Sequence, residues 1–201
     1  MWSLQRATQQ IVGRERNHVV CYRQLVRDVV VPRRVNSIVR RSYLHYTMLL
    51  SGDDGNRFEL SVVGYQFPHL ENEEYDSDWL RINIRVNHPR GAWTSTDACL
   101  LTWEVARLAE WLAAIANGNA SDDEEDFIEP NLRFQILENH SRMRVYFELE
   151  CRPSWAPSDG AGMNDLWLDL NVDGQDLTNA AASLRDDLAC FPIRVPFGTN
   201  V

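Results

Sequence analysis

Asp169, Asn171, Asp173 and Gly174 stand at the first, third, fifth and sixth positions of a pattern that opens a calcium-binding loop. There, alternate oxygens converge on the ion and the glycine makes the sharp turn. The pattern then fails. Its eighth position, which should be apolar, is Asp176, and its twelfth, which should be a bidentate acid, is Ala180. Leu166, Leu168, Leu170 and Val172 alternate ahead of it, which is the period of a strand and not of an incoming helix. Asp173 is therefore read as the cap of a following helix. Cys99 precedes a helical pattern, where a helix dipole lowers a thiol pKa. Its neighbours Ala98, Leu100 and Leu101 are apolar and no histidine is near in sequence, so it is read as a buried structural cysteine. Cys21, Cys99, Cys151 and Cys190 and the five histidines are dispersed without the spacing of a zinc site. No nucleophile elbow, phosphate loop, dinucleotide fingerprint or H-E-x-x-H is present. All 20 basic residues are arginine, and the absence of lysine excludes Schiff-base and lysine general-base chemistry. No catalytic, cofactor-binding or metal-binding residue can be named.

Charge is more informative than motif. Residues 1–47 carry nine arginines against Glu15 and Asp28, a net +7, whereas residues 48–201 carry eleven arginines against 27 acids, a net −16; together they give the −9 of the chain. An acidic body repels phosphate backbones and anionic lipid and attracts a basic partner. The acids concentrate in two runs. Glu71, Glu73, Glu74, Asp76 and Asp78 form the first, and Asp122, Asp123, Glu124, Glu125 and Asp126 the second. Both are read as exposed loops, where a carboxyl lacks the desolvation that general-acid work needs, and both are the expected partner-facing charge. Trp167 joins them. It occupies the polar phase of its strand, on the face expected to carry Arg81, Arg85, Arg133, Arg144, Glu148, Glu150 and Asp169. Tryptophan and arginine dominate protein-binding hot spots. The expected partner is a protein, with no nucleic acid for the main domain and no membrane.

The elements that position these residues follow from periodicity. Phe58, Leu60 and Val62 alternate, as do Leu80, Ile82, Ile84 and Val86. Residues 92–98 suit a third strand. Leu132, Phe134 and Ile136, then Met143 through Cys151, read as a hairpin closed by the four-residue turn 138–141. Leu166 to Val172 is the last strand. Leu101, Val105, Leu108, Leu112 and Ile115 form one helical stripe with Thr102 as the expected N-cap, and Leu177, Ala181, Leu184 and Leu188 form another. The expected fold is a two-layer α+β domain over 48–201. It has a mostly antiparallel sheet of five to six strands with two amphipathic helices on one face. The basic segment 1–47 is expected to be a poorly packed extension, with translation beginning at Met48; a basic arm that binds nucleic acid and a targeting extension are the rival readings. No run approaches the roughly 18 apolar residues of a membrane span. Free thiols and the lack of an apolar signal region point to the cytoplasm.

Phe58 to Pro68 followed by Asp78-Trp79-Leu80, then Glu110-Trp111-Leu112, Phe127 to Phe134 and the closing Phe191-Pro192-Ile193-Arg194, resemble small bacterial immunity proteins of the WapI type. The resemblance covers about residues 49–195. It implies a non-enzymatic protein that binds and neutralises the toxic C-terminal domain of a contact-dependent toxin, a tRNA-cleaving nuclease in the named case. A nuclease must be basic to hold its substrate, so an acidic inhibitor has the complementary sign. The alternative is an enzyme with an unrecognised site near Cys99, His69 or His88.

Overall fold

The computed structural model describes residues 47–52, 54–156 and 166–195. The expectations for the basic segment fall outside these residues, save at Thr47.

The chain first builds an antiparallel meander. Strands β1 (Met48–Ser51), β2 (Arg57–Tyr65), β3 (Trp79–His88) and β4 (Gly91–Leu101) lie in that spatial order. Alternation fixes their register. Phe58 faces Val86, Leu60 faces Ile84 and Val62 faces Ile82, so each apolar set falls on one face. Helix α1 (Thr102–Ala116) then leads to a second sheet, ordered β5 (Glu124–Glu125), β6 (Leu132–Leu137), β7 (Arg142–Phe147) and β8 (Trp167–Asn171). Helix α2 (Gly174–Cys190) closes the described fold.

The α+β class holds, but the single sheet of five to six strands does not: the described residues form two antiparallel sheets of four strands. Two short strands were not anticipated. One is β1; the other, β5, lies inside a segment whose composition reads as an acidic loop. Periodicity shows which residues share a face, and it does not show where a ladder stops. Here α1 intervenes between β4 and β5, and the chain starts a new ladder. β7 is also shorter than expected. It ends at Phe147, and Leu149, at φ 47°, turns the chain into a short 3-10 turn, Leu149–Cys151.

Both sheets and both helices contribute to one core. The Phe58 ring on β2 meets Phe134 on β6 edge-on at 5.7 Å and Phe147 on β7 at 5.9 Å. Helix α1 buries Val105, Leu108, Leu112 and Ile115, the expected stripe, and α2 buries Leu177, Ala181 and Leu184. Asp173 caps α2 as expected, accepting from the backbone N–H groups of Gln175 and Asp176 at 2.8 Å each. Asp187 on α2 accepts from the Val62 N–H at 3.0 Å and ties the helix to β2.

The free edge of the second sheet is covered by side chains of the first. Asn56 donates to the Asp169 carbonyl at 3.2 Å. His88 Nε2–H donates to the Trp167 carbonyl at 3.1 Å, while its Nδ1 accepts from the Arg90 N–H at 3.0 Å. Those two bonds fix the neutral Nε2–H tautomer. A strand edge with its carbonyls occupied is a poor template for another chain.

Candidate functional site

Three residues in the first two turns of α1 gather the two acidic segments. Thr102 Oγ1 donates to Asp78 Oδ1 at 2.6 Å, and the Thr102 N–H donates to the Asp78 carbonyl at 3.0 Å. Glu104 accepts from the Leu101 N–H at 2.9 Å and from the Ile128 N–H at 2.8 Å. Arg107 donates to the Glu125 carboxylate and the Asp126 carbonyl. From Thr102 to Arg107 is about 7.5 Å along a helix axis. The start of α1 is therefore a hub, with segment 66–78 and segment 122–129 both fastened to it. Thr102, expected as the N-cap, is instead the first helical residue; Leu101 holds the cap position, and Glu104 reaches back to its N–H.

Glu104 is fully buried. Burial pushes its carboxyl above the usual range, against the opposing pull of the Ile128 and Leu101 N–H groups. Burial likewise raises Glu125, with the Arg107 hydrogen bond opposing.

The eleven expected site residues divide three ways. Glu71, Glu73, Glu74, Asp76, Asp122, Asp123 and Asp126 are exposed in the two segments. Asp78 and Glu125 are buried, at 1% and 9% exposure, and their carboxylates are occupied inside the fold. Besides Thr102, Asp78 accepts from the N–H groups of Arg194 at 2.8 Å and Val195 at 2.9 Å.

Glu124 and Trp167 form the third group, on the outer face of the second sheet. Glu124 accepts from Arg133 at 3.0 Å and Gln135 at 2.6 Å. Arg133 lies 3.8 Å over the Tyr146 ring. Arg144 grips Asp169 with two bonds, of 2.6 and 2.8 Å, and lies 4.9 Å from the Trp167 ring. Trp167 is 39% exposed at the end of this ladder. The expected companions Arg81 and Arg85 lie on β3, in the other sheet. Glu148, also expected on this face, is buried in an ion pair with Arg152 at 3.2 Å.

The two segments held by the α1 hub also carry exposed apolar residues, as does the chain after α2. Phe67, Tyr75, Ile128 and Ile193 are exposed large hydrophobic side chains. Tyr75 is linked to Ile128 by a short relay: the Asp78 N–H donates to the Tyr75 carbonyl at 2.9 Å, Asp78 bonds Thr102, and Glu104 bonds Ile128. The burial pattern reveals them; in sequence, Tyr75 and Ile128 are set among acids, whereas Phe67 and Ile193 have no such cue.

The residues proposed for an unrecognised enzyme site do not converge. His88 ends β3, while His69 lies in the loop ahead of its start; ten extended residues span about 30 Å. Cys99 is fully buried in β4, and the side-chain hydrogen bond with Cys151, then burial, push its thiol well above its ordinary value. Cys99 and Cys151 are free thiols. A shallow depression of about 360 Å³ on the first sheet is lined in part by Arg57, Glu59 and Arg85, with Glu59 ion-paired to Arg57 at 2.6 Å. Among the described residues, no group of three or more His, Cys, Asp or Glu is placed to hold a metal ion, and no helix is long and apolar enough to cross a membrane.

A family model described as the Immunity protein WapI-like family matches residues 48–192. The chain belongs to that family. The WapI-like region begins on the first residue of β1 and, among the described residues, takes in the eight strands and two helices. It thus includes the hub and both acidic segments. No curated protein and no solved structure matches the chain.

Proposed function

We propose that this protein is an immunity protein that neutralises a toxin domain by binding it directly, in the cytoplasm and without catalysis. Membership of the WapI-like family supports a protein partner. The observation that carries the rest is the hub at the start of α1. The two segments fastened to it carry the exposed Glu71, Glu73, Glu74, Asp76, Asp122, Asp123 and Asp126 together with the exposed Phe67, Tyr75 and Ile128, and Ile193 is exposed beside the Arg194 that bonds the first segment. Exposed apolar side chains in the same segments as exposed charges are the composition of a protein interface, and the acidic sign selects a basic partner. A nuclease domain is basic where it holds its substrate, so covering that surface would inhibit it. Glu124 and Trp167 extend the contact along the second sheet.

The test is co-expression with the C-terminal toxin domains of contact-dependent toxins from the same genome. With one of them growth should be rescued, and the pair should co-purify as a salt-sensitive complex. Failure of both sinks the proposal.

A further inference from the structure

Segment 66–78 joins β2 to β3 and holds four carboxylates between residues 71 and 76, all exposed. Such a loop repels itself, so its path needs contacts that offset the repulsion. Internal bonds supply part of this: the Glu73 N–H donates to Ser77 Oγ at 2.8 Å, and the Ser77 N–H to the Glu73 carbonyl at 3.1 Å. The rest comes from the chain that follows α2. The Arg194 guanidinium donates to the carbonyls of Phe67 at 3.2 Å, Pro68 at 3.2 Å and Leu70. Its flat face lies 3.5 Å over the Tyr65 ring. The backbone N–H groups of Arg194 and Val195 take one oxygen each of Asp78. Tyr65 in turn donates its hydroxyl to the Pro192 carbonyl at 2.5 Å. Residues 192–195 thus clasp the acidic segment at both ends.

The residue type suits the task. Arginine offers five N–H donors in a rigid plane whose face stacks on an aromatic ring; an ammonium can do neither. We propose that Arg194 is a positioning residue for partner recognition: it holds segment 66–78 in the shape that the partner meets, without carrying that contact itself. This rests on the reading above that the partner docks at the α1 hub. A loop ordered before binding avoids the entropic cost of ordering it during binding.

Charge and positioning predict opposite signs, which makes the proposal separable. Arg194→Ala removes a positive charge from an acidic end, so the field alone would tighten binding to a basic partner. Loss of the clasp weakens it. The experiment compares the full chain with R194A and R194K, reading amide exchange by mass spectrometry and affinity for the inactivated toxin domain at fixed ionic strength. In both variants the amides of 66–78 should exchange at least about tenfold faster, while those of β2, β3 and α1 keep their protection. The Kd should rise about tenfold in both, because lysine keeps the charge but not the fork. Should R194A fail to fold, Arg194→Met keeps an unbranched stem and deletes the donors. Unchanged exchange overturns the clasp. Faster exchange with equal or tighter binding overturns its role in recognition. If the unaltered chain does not bind the toxin domain, the functional reading falls and the recognition role with it, while the exchange result still decides the clasp.

Discussion

Glu104 shows how one side chain can join separate segments. Its carboxylate is fully buried and accepts from the N–H groups of Leu101 and Ile128. Glu104→Ala would leave both donors without that acceptor, at a cost of about 3 kcal/mol. Glu104→Gln keeps the shape and one acceptor, so urea midpoints should fall roughly half as far. The pH dependence has a definite sign. Because burial raises the folded pKa above the ordinary value of 4.5, the stability linked to this group is full below that value and is lost as pH rises through the folded pKa. The unfolding free energy of the parent relative to E104Q should therefore decline on going from pH 4 to 7; a flat difference would show that Glu104 titrates as it does in the unfolded chain. Among the acids, sequence alone could not single out Asp78 or Glu125. Within a run of like charges nothing local marks the one that turns inward. The Asp78 donors come from Thr102, Arg194 and Val195, far along the chain. Asp173 was legible because its partners are two and three residues away.

At the scale of elements, the joint between the two sheets is the feature that local pattern conceals. Alternation located β2, β3, β6 and β8, and the turn at 138–141 is where spacing puts it. The division into two ladders depends on edges, and edges are set by distant contacts such as Asn56 and His88 on β8. His88 makes this joint sensitive to acid. Burial lowers its pKa below the ordinary value of 6.5, with the Arg90 charge adding to this and the Trp167 carbonyl opposing. A depressed histidine contributes stability that is full above 6.5 and is lost as pH falls through the folded pKa, since protonated Nδ1 can no longer accept from Arg90. Thermal melts at successive pH values should show Tm falling on the acid side of 6.5, and His88→Gln, which retains a donor near the Nε2 position, should flatten that fall. The adjoining turn depends on Gly91, at φ 146°. A Cβ there would lie 3.4 Å from Trp155 Nε1, so Gly91→Ala should cost about 1–3 kcal/mol in chemical denaturation. A neutral result would mean that the turn relaxes freely.

At the scale of the whole molecule the charge is divided, and the division bears on how fast a partner is met. We infer that the binding domain is 48–201: the family match and β1 both begin at Met48, whose side chain is fully buried in the core. That domain carries −16, and residues 1–47 reduce the total to −9. Steering scales with the field that an approaching partner feels, and salt screens it over roughly 10 Å at 0.1 M. A chain of residues 48–201 should therefore associate with a basic toxin domain faster than the full chain. The gain should be about tenfold at low ionic strength and should vanish near 0.5 M salt, while dissociation changes little. Stopped-flow association of both chains across a salt series reads this directly. Equal rates would mean that the basic segment lies outside the field the partner meets. Slower association by the shorter chain would mean that the nine arginines help capture the partner, and the domain boundary would then have to move toward the N-terminus. Loss of the folded state on deletion would move it in the same direction, and circular dichroism of the shorter chain, taken first, separates that outcome from the other two.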